Sequence, residues 1–192
     1  MMKCIVWNMD YWKSPQKEQG WEYLNSVDPD ICLLNECSRH ASQEFSIHNI
    51  SRNDWGVGVF SKHELDELEF QKCHPDAIAC GQITFGNRTI TAISLYGKII
   101  DKYSITTLHR PLSDLTHLFS QKKLRDWMLI GGDFNADVAI DENQRGNSHH
   151  IFFERLKDFG FYDCIRKFHG ERIQTLRHSN SSFPWQNDYL FA

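Results

Sequence analysis

Short apolar runs rich in β-branched residues recur along the chain, at residues 4–7, 31–34, 57–60, 78–85, 89–95 and 128–130. Each has the length of a buried strand and falls short of a core helix, so the chain must build sheets. Helical periodicity fills several of the gaps. Ser14 followed by Pro15 offers an N-cap and a first-turn proline, Trp21 and Leu24 share one face, and Asp28-Pro29 closes the segment; this predicts a crossover helix between the first two strands. Leu112, Leu115, Leu118 and Phe119 predict a helix before the run at 128–130, and Ile151, Phe152, Arg155, Leu156 and Phe159 predict another that ends at Gly160. From Gly56 to Leu95 the runs follow closely, with Gly86-Asn87 as a turn, which predicts an antiparallel meander. The expectation is mixed α and β in layers.

No repeat, low-complexity tract or linker divides the 192 residues, so a single domain spanning 1–192 is expected. A content of 41% hydrophobic and 24% charged residues is that of a soluble globular protein, and no apolar run is long enough for a membrane-spanning helix. The opening MMKCIVWNMDYWK lacks the pattern of a signal peptide. A cytoplasmic protein without membrane contact is therefore expected. Cys4, Cys32, Cys37, Cys73, Cys80 and Cys164 are too irregularly spaced for a disulfide framework, and without a CxxC pair they give no zinc site. A formal net charge of −4 denies the chain a broad basic surface.

The chemistry concentrates at the ends of the predicted strands. Asn8 and Asp10 follow the first, Glu36 the second, and Asp133 and Asn135 the run at 128–130. Residues two apart in an extended chain point the same way, so each pair can face one pocket. Carboxylate and amide oxygens suit Mg²⁺ or Mn²⁺ better than zinc. Gly131 and Gly132 are expected to let the backbone turn sharply and approach a ligand. Trp185, three residues before Asp188, either stacks on a base or sugar or packs into the core. His149-His150 is expected to be a solvated helix N-terminus, and Lys122, Lys123 and Arg125 an exposed helix end.

Six segments in order, IVWNMD, DICLLNE, GVGVFSK, ITAISLYG, LIGGDFNAD and WQNDYLFA, resemble the endonuclease/exonuclease/phosphatase superfamily. The resemblance implies a four-layer α/β/β/α sandwich of the DNase I type and metal-dependent hydrolysis of a phosphodiester, with a nuclease acting on DNA or RNA as the leading expectation. A phosphatase of a phospholipid or inositol phosphate, or a noncatalytic binding or assembly subunit, is the alternative. Carried over onto matching positions, Glu36 is the principal Mg²⁺ or Mn²⁺ ligand, with Asn8 and Asp10 beside it. Asp133 orients and deprotonates water, Asn135 holds the water and a phosphate oxygen, and Tyr96 faces the phosphate. Asp188 corresponds to the carboxylate that pairs with a terminal histidine.

That histidine belongs to a Ser-Asp-His segment which the family carries beyond the strand matched by DYLF. The sequence as given has no counterpart, and none of its ten histidines lies in that context. The expectation is a sandwich without its last strand, for which a truncation, a partner chain docking at the C-terminal sheet edge, or loss of catalysis are the three readings.

Overall fold

A computed structural model describes residues 2–10, 17–40, 44–52, 54–100, 104–144, 146–176 and 183–192. Strands β1 (Cys4–Asn8), β2 (Ile31–Cys37), β3 (Phe45–Arg52) and β4 (Trp55–Ser61) form one sheet in the order β1-β2-β4-β3. Strands β5 (Leu65–Glu67), β6 (Ile78–Phe85), β7 (Arg88–Leu95), β8 (Met128–Asp133) and β9 (Asp188–Phe191) form the second in chain order. The β1–β2 and β7–β8 pairs are parallel and the others antiparallel.

Side-chain alternation along the strands sorts the apolar residues into three layers. Along β2, Ile31 and Leu33 point between the sheets, where they meet Val57, Val59, Ala79, Ala92 and Leu129. Cys32 and Leu34 point the other way and pack with Trp21 and Leu24 of helix α1 (Lys17–Val27). On the outer face of the second sheet, Ile93, Leu95 and Ile130 pack against Leu108 and Leu112 of α2 (Ile105–Asp114), Leu118 and Phe119 of α3 (Thr116–Phe119), and Phe152 and Leu156 further along. The result is the expected α/β/β/α sandwich. Short α4 (Lys122–Arg125) carries exposed Lys122, Lys123 and a partly exposed Leu124 before Arg125, in keeping with an exposed helix end. Helices α5 (Val138–Gln144), α6 (Ser148–Asp158) and α7 (Cys164–His169) complete the described α-helices, and Pro75–Ala77 forms a 3₁₀ turn before β6.

Several expectations are corrected. Residues 56–95 are not one meander, because β4 pairs with β2 and β3 while β6 and β7 form a hairpin in the other sheet. The turn at Gly86-Asn87 is as expected. The helix around Leu112 begins earlier, at Ile105, runs through Pro111, whose ring removes one helical N–H, and is divided only at Leu115, from which the short α3 continues. Gly131 and Gly132 belong to β8 rather than to a turn. They allow close packing: a Cβ on Gly131 would meet Val6 and Leu33 at 2.8 and 2.9 Å, and one on Gly132 would meet the Leu95 carbonyl at 2.0 Å. His149 is buried, while His150 is exposed. Ser14 and Pro15, the expected start of the first helix, lie outside the described residues.

In the second sheet β9 is the terminal strand, and part of its outer edge is paired. Tyr162 and Ala192 exchange backbone hydrogen bonds of 3.1 and 3.2 Å, with a bridge between Asp163 and Phe191. Among the described residues no helix is long and apolar enough to cross a membrane.

Candidate active site

Strands β1, β2 and β8 run in the same sense, so the residues at their C-terminal ends meet at one end of the sandwich. The alignment of the two sheets there rests on a buried amide. Asn35 accepts from the Asp133 backbone N–H (2.5 Å) and donates to Ser94 Oγ (3.3 Å), while Ser94 donates to the Leu34 carbonyl (3.1 Å). Asn35 and Ser94 are both fully buried.

Local backbone irregularities aim the side chains. The pairing of β2 with β4 shifts register between Leu34 and Cys37, and Glu36 takes φ 45° inside that bulge. Strict alternation would otherwise send Glu36 into the layer beneath α1. Asp10 and Asn135, with φ 46° and 45°, also occupy the left-handed region. The extended spacing expected for the pairs 8/10 and 133/135 is therefore not what brings them together. The chain turns after each strand instead: the Asp10 N–H donates to Asn8 Oδ1 (2.9 Å), and the Asn135 N–H donates to Asp133 Oδ1 (2.8 Å). Non-glycine residues held in this region mark places where surrounding structure overrides local preference.

Asn8 lies between the carboxylates. Its amide nitrogen donates to Asp133 Oδ2 (2.7 Å) and to Glu36 Oε1 (3.1 Å), and Glu36 Oε1 also accepts from the Tyr96 hydroxyl (2.8 Å). The Asn135 amide donates to Asp133 Oδ2 and to the Gly97 carbonyl, both at 3.3 Å, and Asn187 donates to Asn135 Oδ1 (3.2 Å). Asp188 faces Asp133 across the β8–β9 ladder. Its backbone N–H and that of Asn187 both donate to Thr175 Oγ1, at 3.0 and 2.9 Å. Phe134 stacks against Tyr189 (5.1 Å) and meets Phe152 edge-on (5.5 Å), which pins the turn carrying Asp133 and Asn135.

Asn8, Glu36, Tyr96, Asp133, Asn135 and Asp188 are thus brought together, while Asp10 stands exposed at the margin. Trp185 is half-buried against Phe183, with ring centroids 4.3 Å apart. Asn35, Ser94, Thr175 and Asn187 are participants that sequence reasoning missed. Of these only Asn35 carries a signal, as a polar residue inside the apolar run ICLLNE.

Burial pushes the Asp133 carboxyl up to about 7, and the nearby charges of Asp188 and Glu36 add to the rise; hydrogen bonds from Asn8 and Asn135 oppose it. Burial likewise raises Asp188, against which the Thr175 hydroxyl works, and Asp188 Oδ1 is buried without a partner. Tyr96 is raised by burial and then by Glu36, so its hydroxyl keeps its proton.

Among the described residues no three His, Cys, Asp or Glu side chains already surround a common point. The donor set nonetheless suits a hard divalent cation: it consists of oxygens, the charges that act most strongly on Asp133 and Tyr96 are carboxylates, and a buried Asp188 oxygen is unsatisfied.

Comparison with known proteins agrees with this fold. A search of curated proteins finds no match. Among solved structures, a variant of the 3′ phosphatase NExo from Neisseria, bound to a product DNA hairpin, shares 17% identity with a TM-score of 0.70, covering 100% of this chain and 86% of that one. The D. rerio TDP2 complexed with single strand DNA product shares 16% identity at TM-score 0.63, covering 99% and 82%. The AP endonuclease LMAP from Leishmania major shares 11% identity at TM-score 0.73, covering 99% and 78%. Residues 7–192 match the sequence profile of the Endonuclease/Exonuclease/phosphatase family. With that match running from the first strand to the last, and the same sandwich in these three proteins, the chain belongs to the endonuclease/exonuclease/phosphatase family.

Proposed function

We propose that the chain is a divalent-metal-dependent phosphodiesterase that acts on nucleic acid. The observation that carries this reading is the Asn8 amide held between Glu36 and Asp133, which gathers hard oxygen groups from both sheets at one point. Glu36, with Asn8 and Asp10 beside it, is the place for Mg²⁺ or Mn²⁺. When bound, the ion supplies positive charge to offset the negative charge that develops on the phosphoryl oxygens.

The chain's own groups divide the remaining work. Asp133, with its carboxyl raised to about 7, is suited to take a proton from water near neutral pH. Asn135 fixes the orientation of that carboxylate through its N–H and amide. The Tyr96 hydroxyl holds Glu36 in place and stays a donor at physiological pH. Asp188, on the rung opposite Asp133, keeps a second carboxylate at the same point. Trp185 provides an aromatic wall for a base or sugar. Nucleic acid is favoured as substrate because two relatives of the same fold hold DNA products.

The test uses the full chain with fluorescent single- and double-stranded DNA and RNA oligonucleotides, in Mg²⁺ or Mn²⁺ and in EDTA. Cleavage is expected only with metal and is lost in Asp133→Asn, while calorimetry shows Mn²⁺ affinity strongly weakened in Glu36→Gln. No turnover of any of these substrates, or turnover that persists in EDTA, overturns the proposal.

A further inference from the structure

Asp137 lies four residues beyond Asp133, fully buried and outside the cluster described above. Both of its oxygens are engaged. Oδ1 accepts from the Ala139 N–H (3.0 Å) and from Arg172 Nη1 (2.5 Å), and Oδ2 accepts from the Gln186 N–H (3.1 Å). A single carboxylate therefore fastens the start of α5 to two points far along the chain. These points are the bases of two segments that pair with each other: Thr175 and Leu176 donate their N–H groups to the Trp185 carbonyl at 3.0 and 3.1 Å. Arg172 also lies over the Phe183 ring, 5.2 Å from its centroid, and Phe183 packs on Trp185.

The paired segments carry Thr175, Asn187 and Asp188 into the site. Gln186 is adjacent to Asn187, whose amide reaches Asn135 and whose carbonyl accepts from the Phe134 N–H (2.7 Å). We infer that the Asp137–Arg172 ion pair is a positioning device for the candidate active site, setting Asn187 and Asp188 against Asn135 and Asp133. The same turn that presents Asp133 and Asn135 thus holds the tether for the opposing wall. This inference rests on the phosphodiesterase reading for its kinetic consequence but not for its structural one.

A fully buried carboxylate with an arginine partner is costly to break, because the surviving charge is left without compensation. Asp137→Asn keeps that cost small, because the surviving charge is then on Arg172, whose side chain is partly exposed to solvent. Its amide nitrogen takes either the place of Oδ2, losing the Gln186 N–H, or the place of Oδ1, losing Arg172 and the Ala139 N–H, so a tether is lost either way. Arg172→Met removes the cation while keeping an aliphatic stem on Phe183, and Arg172→Lys restores charge without the planar fork.

Side-chain amide signals in ¹H–¹⁵N spectra and oligonucleotide turnover form the readout. In Asp137→Asn the Asn187 and Asn135 amide signals shift while that of Asn8 stays, Mn²⁺ affinity remains within about twofold, and kcat falls about 10- to 100-fold, the size expected for a misplacement of about 1 Å. Arg172→Met does the same and Arg172→Lys recovers part of the loss. A folded Asp137→Asn with unmoved Asn187 and Asn135 signals and unchanged kcat overturns the inference. Should Asp137→Asn or Arg172→Met not fold, Arg172→Lys, which keeps a cation beside the buried Asp137, decides it by a smaller change in the same two measures. Should the wild-type chain show no turnover, the phosphodiesterase reading fails, and the amide signals alone decide whether the tether exists.

Discussion

Replacing Asp133 by Asn should stabilise the metal-free protein at alkaline pH, against the usual result of altering a buried polar group. In the fold the Asp133 carboxyl is raised from the usual 3.8 to about 7. The native state therefore holds this proton more tightly than the unfolded chain does. The associated stability is fully present below the unfolded value of 3.8 and is lost as pH rises to about 7; above that the wild type bears the whole cost of a buried charge. The difference in pKa corresponds to a cost of about 4 kcal/mol. Of this, about 3 kcal/mol is lost between pH 5 and 8.

The amide introduced by Asp133→Asn cannot ionise and escapes that loss. It does set its own N–H₂ against the Asn8 N–H₂ that in the wild type donates to Oδ2, which costs about 1–3 kcal/mol at any pH. The variant should then be more stable than wild type at pH 8 by about 1–3 kcal/mol and close to it or less stable at pH 5. The change in ΔΔG between the two conditions is the robust quantity, at about 3 kcal/mol. Urea unfolding in EDTA at both pH values measures it, and added Mg²⁺ should raise the wild type more than the variant. A ΔΔG that is equal at pH 5 and pH 8 to within about 0.5 kcal/mol refutes the reasoning.

Three further outcomes are expected. Gly132→Ala should lower thermal stability severely, since its Cβ would fall 2.0 Å from the Leu95 carbonyl at φ 146°, whereas Gly160→Ala, with φ 95° and nothing within 4 Å, should bear only the backbone strain of about 1–2 kcal/mol; parallel melting curves separate the two. Tyr96 and Tyr189 are both raised well above the ordinary tyrosine range by burial, so ultraviolet titration of the folded protein at pH 11 should leave these two un-ionised, and their ionisation should coincide with alkaline unfolding as the stability they contribute is lost. Iodoacetamide should label exposed Cys73 before buried Cys32, Cys37 and Cys80, with Cys32 and Cys80 further protected by thiol pKa values pushed up to about 12; mass spectrometry gives the order.

How far the sequence can be read depends on whether a residue's role is local. The runs ending in Glu36 and Asp133 are legible because a strand buried on both faces is a continuous apolar run, and a polar residue at its end stands out; the run ending in Asn8 is as apolar although its strand is terminal and only half-buried. Strand β3 is not legible, since FSIHNISR places a polar residue at nearly every second position, as suits a terminal strand whose Ile50 is exposed. Glu36 is legible as a residue, but its aim depends on a bulge that no composition signal announces. Thr175 and Asn187 act through backbone N–H groups and a neighbouring amide brought near by tertiary pairing, so no spacing in the sequence points to them. Gly131 and Gly132 mislead because a glycine pair in a turn and one at a crowded strand crossing look alike until the facing backbone is known.

The buried Asn35 amide has a mechanical consequence. Glu36 comes from one sheet and Asp133 from the other, so their separation is a gauge of how the two sheets lie on each other. A slip by one strand spacing, about 4.8 Å, would exceed what the Asn8 amide can bridge. Small residues at the interface, such as Ala79 and Ala92 between the sheets, therefore influence the site without touching it. Enlarging either one should splay the layers and register first in the Asn8 hydrogen bonds, so that compression or expansion of the inner core would tune the site as a vernier tunes a gap.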